Sequence, residues 1–123
     1  MDITILMENL GPEHLDREHG LSLHIQYRGH SILLDTGSSG AFADNARALG
    51  VDLGGVEAAV LSHGHYDHAD GLRAFFAANH HAPLYLRRGA REGYYSMRGG
   101  TQPRFVGIHR DICRDYECRQ MSR

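Results

Sequence analysis

Apolar and polar positions alternate with a period of two in the first part of the chain, the pattern of strands with one buried face. Ile3, Ile5 and Met7 interleave with Thr4, Leu6 and Glu8, and Leu21, Leu23, Ile25 and Tyr27 interleave with Ser22, His24 and Gln26. Strands over residues 2–8 and 21–27 follow, separated by a polar loop, residues 9–20, that contains Gly11-Pro12. Arg28-Gly29-His30 then leads into Ser31-Ile32-Leu33-Leu34, so a short antiparallel hairpin is the economical connection. Asp35 ends that strand and opens the small-residue stretch Thr36-Gly37-Ser38-Ser39-Gly40.

The period then lengthens. Residues 41–49 are rich in helix formers, with Phe42, Ala46 and Leu49 on one face and Gly50 where a left-handed C-cap belongs. Residues 56–62 are apolar nearly throughout, which predicts a central strand covered on both sides. Residues 70–78 predict a helix with Leu72, Phe75 and Phe76 on its buried stripe, and residues 83–86 a short strand. Beyond it Gly89, Gly93, Gly99, Gly100 and Gly107 interrupt every pattern. Strands alternating with helices along residues 31–86 imply an α/β layer structure.

Composition narrows the class. A chain of 123 residues, 41% apolar and 23% charged, is ordinary for one globular domain and excludes a disordered tract. A net charge of −2 without a run of like charges gives no footing for nucleic acid or an anionic membrane, so a small-molecule partner is expected. The apolar runs are strand-sized and the N-terminus lacks a basic region, so neither a membrane span nor a secretory signal is expected, and the location is read as cytoplasmic. Cys113 and Cys118 have a spacing that suits neither a redox pair nor a zinc knuckle and are read as reduced, unpaired thiols.

The chemistry concentrates in His63-Gly64-His65-Tyr66-Asp67-His68, directly after the apolar run of residues 56–62. In an extended segment residues two apart point the same way, so His63 and His65 can share one metal at about 2.0–2.1 Å. If the chain then turns through Tyr66, Asp67 and His68 reach a neighbouring point where a second metal fits. Two metals about 3.5–4 Å apart would share a bridging water and lower its pKa toward about 7, which is hydrolytic chemistry without a protein nucleophile. Imidazole and carboxylate favour zinc, with iron and manganese admissible.

Ser62-His63-Gly64-His65-Tyr66-Asp67-His68, preceded by Ile32-Leu33-Leu34-Asp35-Thr36-Gly37, resembles the signature of the metallo-β-lactamase superfamily. The longer stretch from Leu61 to Leu72, with Ile3-to-Asn9, Glu18-His19-Gly20-Leu21-Ser22 and Tyr94-to-Gly100, is similar to a narrower subfamily of metal-dependent hydrolases. Its members are often labelled 7,8-dihydropterin-6-methyl-4-(β-D-ribofuranosyl)aminobenzene 5'-phosphate synthase. The resemblance runs from residue 2 to about 108. It implies the N-terminal half of a four-layer αββα sandwich, a partial domain over residues 1–110 with a charged tail over 111–123 that loses the likeness. It implies two Zn²⁺ in a complete site, His63 and His65 on the first, Asp67 and His68 on the second. Asp67 would also be the catalytic carboxylate that orients the attacking hydroxide, and Asp35 an acceptor that orients a ligand histidine or the motif loop. Tyr94, Tyr95 and Arg98 are weaker candidates for contacting substrate, with helix packing as their plainer role.

The function so implied is hydrolysis of an ester, phosphoester or amide. Two alternatives stand beside it: a transferase in pterin-cofactor synthesis, and a non-catalytic fragment that binds metal weakly or associates with another chain. The family's remaining ligands come from a second half that nothing in these residues matches. His109, with Asp111 and Asp115, is a poor substitute for them. An uncovered apolar sheet face invites pairing with another chain. His80 and His81 read as cations at a helix C-terminus, and His14, His19, His24 and His30 as exposed positions, though the 9–20 loop can border the site.

Overall fold

The structure, a computed structural model, describes the backbone of residues 1–121 and the side chains of residues 1–117. Strands β1 (Asp2–Met7), β2 (Ser22–Tyr27), β3 (His30–Leu34), β4 (Ala58–Val60) and β5 (Leu84–Tyr85) form one sheet in that order. β1, β2 and β3 are antiparallel neighbours, whereas β4 and β5 are added parallel to β3. The β2–β3 hairpin turns on two residues of positive φ, Arg28 at 50° and Gly29 at 79°, the combination whose twist matches that of the flanking strands. Helix α1 (Ala41–Ala48) and a short 3-10 turn (Leu53–Gly55) link β3 to β4. Helices α2 (Tyr66–Ala69) and α3 (Leu72–Ala78) link β4 to β5, and a two-stranded ribbon, β6 (Tyr95–Ser96) with β7 (Arg104–Phe105), precedes helix α4 (Arg110–Met121).

The two faces of the sheet have different fates. Thr4, His24, Leu33, Ala59 and Leu84 lie in one cross-strand row, and the last four of these are buried against the helices. Phe42 and Ala46 of α1, Leu72, Phe75 and Phe76 of α3, and Ile112 of α4 complete that core. The opposite face carries two apolar rows, Ile3–Ile25–Ile32–Ala58 and Ile5–Leu23–Leu34–Val60–Tyr85. Ile3, Ile5 and Tyr85 there are 53%, 49% and 60% exposed. β4 is therefore an interior strand next to the edge strand β5 and is covered on one side, not on both as its unbroken apolar run predicts.

Two further expectations change. On α1 the third inward residue is Asn45, not Leu49, because the Asn45 amide donates to Leu6 O (2.8 Å) and Asp16 O (2.9 Å) and accepts from Asp16 N–H (2.9 Å). That pins the 9–20 loop to the sheet. His24 is buried, its Nε2 2.8 Å from Ser31 Oγ, and burial lowers its pKa. The charged segment from Asp111 is helical: Ile112, Cys113 and Tyr116 make a narrow stripe against the core beside α3, and Asp111, Arg114, Asp115 and Glu117 face outward. Cys113 is a free, half-buried thiol, and Cys118 lies outside the described side chains.

Candidate metal centre

β4 ends at Val60, Leu61 is buried, and the next four residues form a loop at the carboxyl end of the parallel strands, where open α/β sheets place their sites. Gly64 is buried there for a backbone reason: a Cβ would lie 1.9 Å from Ala90 O, so only glycine lets the loop pass. His65 keeps extended backbone (φ −98°, ψ 146°) and pairs with Gly107, and Tyr66 N–H donates to Val106 O (2.9 Å). The chain then turns into α2, which swings Asp67 and His68 back toward His63. The carbonyl of His68 accepts from Thr36 N–H (2.8 Å) and Thr36 Oγ1 (3.0 Å), fastening α2 to the loop after β3.

One ligand atom from each of His63, Asp67 and His68 lies within 4.8 Å of the others. The rings of His63 and His68 are 4.2 Å apart by centroid, and His65 stands edge-on to His63 at 4.8 Å. His65 thus borders the three-donor group from the cleft side without belonging to it.

Asp35 organises the group from beneath. Its backbone is left-handed (φ 58°), which Asp tolerates better than bulkier residues, and its carbonyl accepts from Ser22 Oγ (2.7 Å). Its buried carboxylate accepts from Ser62 N–H (2.7 Å) at Oδ1, and from Ser62 Oγ (2.6 Å) and His68 Nδ1 (2.8 Å) at Oδ2. A carboxylate only accepts, so His68 carries a proton on Nδ1, and the neutral ring has Nε2 bare. Ser62 spends its one proton on Asp35, so His63 Nδ1, 2.8 Å from Ser62 Oγ, is the donor and His63 Nε2 is bare as well. His68 Nε2 faces Asp67 Oδ2 at 3.4 Å. The pKa of His63 is lowered, first by burial and then by His68 and His65, which keeps it a neutral donor. With both rings neutral, two bare imidazole nitrogens and a carboxylate oxygen converge, the donor set of a divalent cation site. These residues fit a divalent metal.

The remaining candidates separate clearly. Arg98 lines an open cleft of about 420 Å³ together with His65, Tyr66, Asp67, Ser96 and Arg104. Tyr94 lies edge-on to His65 at 5.7 Å, its hydroxyl donating to Gly89 O (2.8 Å), so it packs against the site and is anchored elsewhere. Tyr95 is exposed and stacks edge-on with Phe105 at 5.5 Å. His109 is tied through its N–H to Asp70 Oδ1 (3.0 Å) and borders Asp111, so neither joins the group, and Asp115 is exposed on α4. His80 and His81 are exposed beyond α3. Three participants escape the sequence pattern: Ser62 as a bridge, Arg104 in the cleft, and His19, whose Nε2 lies 3.1 Å from Asp67 Oδ2. The Glu18-to-Ser22 resemblance, and the expectation that the 9–20 loop can border the site, hinted at the last.

The family model of the metallo-β-lactamase superfamily matches residues 15–117, from the 9–20 loop to α4. The chain belongs to that superfamily. Over 93% of its length it superposes on 39% of Tm1679, a metal-dependent hydrolase of the β-lactamase superfamily, with a TM-score of 0.72 and 30% identity. The metallo-β-lactamase MIM-1 from Novosphingobium pentaromativorans shares the fold, at a TM-score of 0.53 and 23% identity over 74% of this chain and 36% of its own. An uncharacterised protein of Methanocaldococcus jannaschii is 37% identical over 71 residues, 58% of this chain and 28% of the relative. The chain thus spans well under half the length of the relatives it matches. Its mixed α/β architecture is part of the larger metallo-β-lactamase fold, and no helix among the described residues is long and apolar enough to cross a membrane.

Proposed function

We propose that the chain carries the histidine–aspartate half of a zinc-dependent hydrolase centre acting on an ester, phosphoester or amide. The observation that supports it is the convergence of His63, Asp67 and His68 with both imidazole tautomers set by Asp35. His63 and His68 would hold the ion through Nε2 and Asp67 through a carboxylate oxygen, with His65 reaching a metal position from the cleft side. A second such position is what His65 adds to the three-donor group. The cation would supply Lewis acidity and a nucleophile active near neutral pH. Asp67, at the cleft wall, is the group placed to take a proton at its carboxylate as the nucleophile attacks. Arg98 and Arg104 flank the same cleft, and neither forms an ion pair among the described residues, so the bound substrate is expected to carry an anionic group.

Metal content per chain after dialysis against zinc, measured with turnover of phosphodiester and carboxylester substrates, tests this reading. Bound zinc with turnover that disappears in His68→Ala supports it. Zinc-free protein sinks it.

A second reading is favoured by the two bare apolar rows of the sheet. That face would be covered by another polypeptide presenting an apolar sheet of its own. Sedimentation of the chain as a monomer across the micromolar range would exclude self-pairing, and absence of stabilisation by such a partner would exclude the reading altogether.

A further inference from the structure

The loop over residues 9–20 does more than border the centre. Its end is clamped to the motif: Leu21 N–H donates to Asp67 O (3.3 Å), and a Cβ on Gly20 would lie 2.3 Å from that same carbonyl. Glu18 accepts from Ser38 N–H (3.0 Å), Ser39 N–H (3.2 Å) and Ser39 Oγ (2.7 Å), and Ser38 Oγ donates to His19 O. His19 is thus held over Asp67 by its own backbone, although its side chain is 67% exposed.

The proton positions follow from Asn9. Gly20 N–H can only donate, and it lies 3.1 Å from Asn9 Oδ1, which assigns the amide oxygen. The Asn9 amino group is therefore what approaches His19 Nδ1, at 3.3 Å. Nδ1 accepts, so the proton of neutral His19 sits on Nε2 and points at Asp67 Oδ2, 3.1 Å away. We propose that His19 is a positioning residue for Asp67: fixed by Asn9 as the Nε2–H tautomer, it donates to Oδ2 and turns the carboxylate so that its remaining lone pairs face the metal position between His63 and His68. The logic mirrors that of Asp35 beneath the site. There a carboxylate fixes two histidines, and here a histidine fixes the carboxylate.

This rests on the metal-centre reading, and two measurements keep them apart. Long-range ¹H–¹⁵N correlation spectra of the metal-free chain read imidazole tautomers directly. A single Nε2–H form for His19, against averaging forms for exposed His14 and His80, is expected; an averaging or Nδ1–H pattern for His19 overturns the proposal whatever the metal does. Co²⁺ titration followed by visible absorption supplies the second, on wild type, His19→Phe and His19→Gln. His19→Phe should weaken Co²⁺ binding about tenfold and alter the spectrum at unchanged stoichiometry, while His19→Gln, which keeps a donor near the Nε2 position, should stay within about threefold of wild type. His19→Phe equal to wild type overturns the positioning role alone. Reduced Co²⁺ stoichiometry in His19→Phe overturns it in favour of direct ligation. A wild type that takes up no Co²⁺ sinks the metal reading and this proposal together.

Discussion

Two sides of the candidate centre are built differently. Toward the core, His63 and His68 are tied through Ser62 and directly to one buried carboxylate, Asp35, and both rings have a single satisfied tautomer. Toward the cleft, His65 has ring contacts with His63 and Tyr94, and Arg98 and Arg104 lie open. The first side belongs to the face of the sheet that this chain covers with its own helices. Rigid ligands need neighbours that fix their rotamers, and Asp35 with Ser62 supplies them for both His63 and His68, whereas His65 is held by ring contacts.

Removing the centre of the anchored side should have the largest effect. Asp35→Asn keeps the side-chain shape and a residue tolerant of positive φ, but sets an amino group or a single acceptor against Ser62 and His68 where three donors converge. It should cost about 1–3 kcal/mol in denaturant unfolding and about 10–100-fold in zinc affinity. Wild-type affinity in that variant would break the contrast between the two sides. Comparing His68→Ala with His65→Ala sharpens it: the first should abolish the tightest equivalent of zinc, and the second should weaken that equivalent by about tenfold at most, as read by isothermal titration. Equal losses would show that His65 is as much a part of the group as His68.

Ser62→Ala probes the bridge alone. His63 Nδ1 loses its acceptor while the His68–Asp35 contact survives, so zinc affinity should fall by about tenfold with a stability change near 1 kcal/mol. The smallest effect lies away from the centre, in the covered layer. Burial lowers the pKa of His24 below its ordinary 6.5, so the unfolded chain binds the proton more readily than the folded one. Stability should be full above about pH 6.5 and decline as pH falls from there toward the folded-state pKa. The slope should persist in His68→Ala and become shallower in His24→Gln, where the lowered pKa of His63 still contributes, by urea titration at several pH values; a slope unchanged in His24→Gln would place the titration at the site.

Legibility followed the range of the forces. The strands of residues 2–8 and 21–27, the hairpin at Arg28-Gly29 and the α1 C-cap at Gly50 were readable because period and turn chemistry are local. Leu49 was misplaced because an inward Asn45 is chosen by partners 29 and 39 positions away, and His24 because its burial depends on which face of the sheet the helices cover, although its partner Ser31 lies across the same hairpin. Helix α4 was missed because three apolar residues among charges carry little signal until α3 lies beside them.

By itself the sequence determined which residues could bind metal and how they are spaced, since His63, His65, Asp67 and His68 sit within six positions. Only the tertiary structure decided which nitrogens are free to do so. Those protons are set by Asp35 across 33 positions from His68 and by Asn9 across 10 from His19, through hydrogen bonds that exist once sheet register and loop closure bring the groups within about 3 Å.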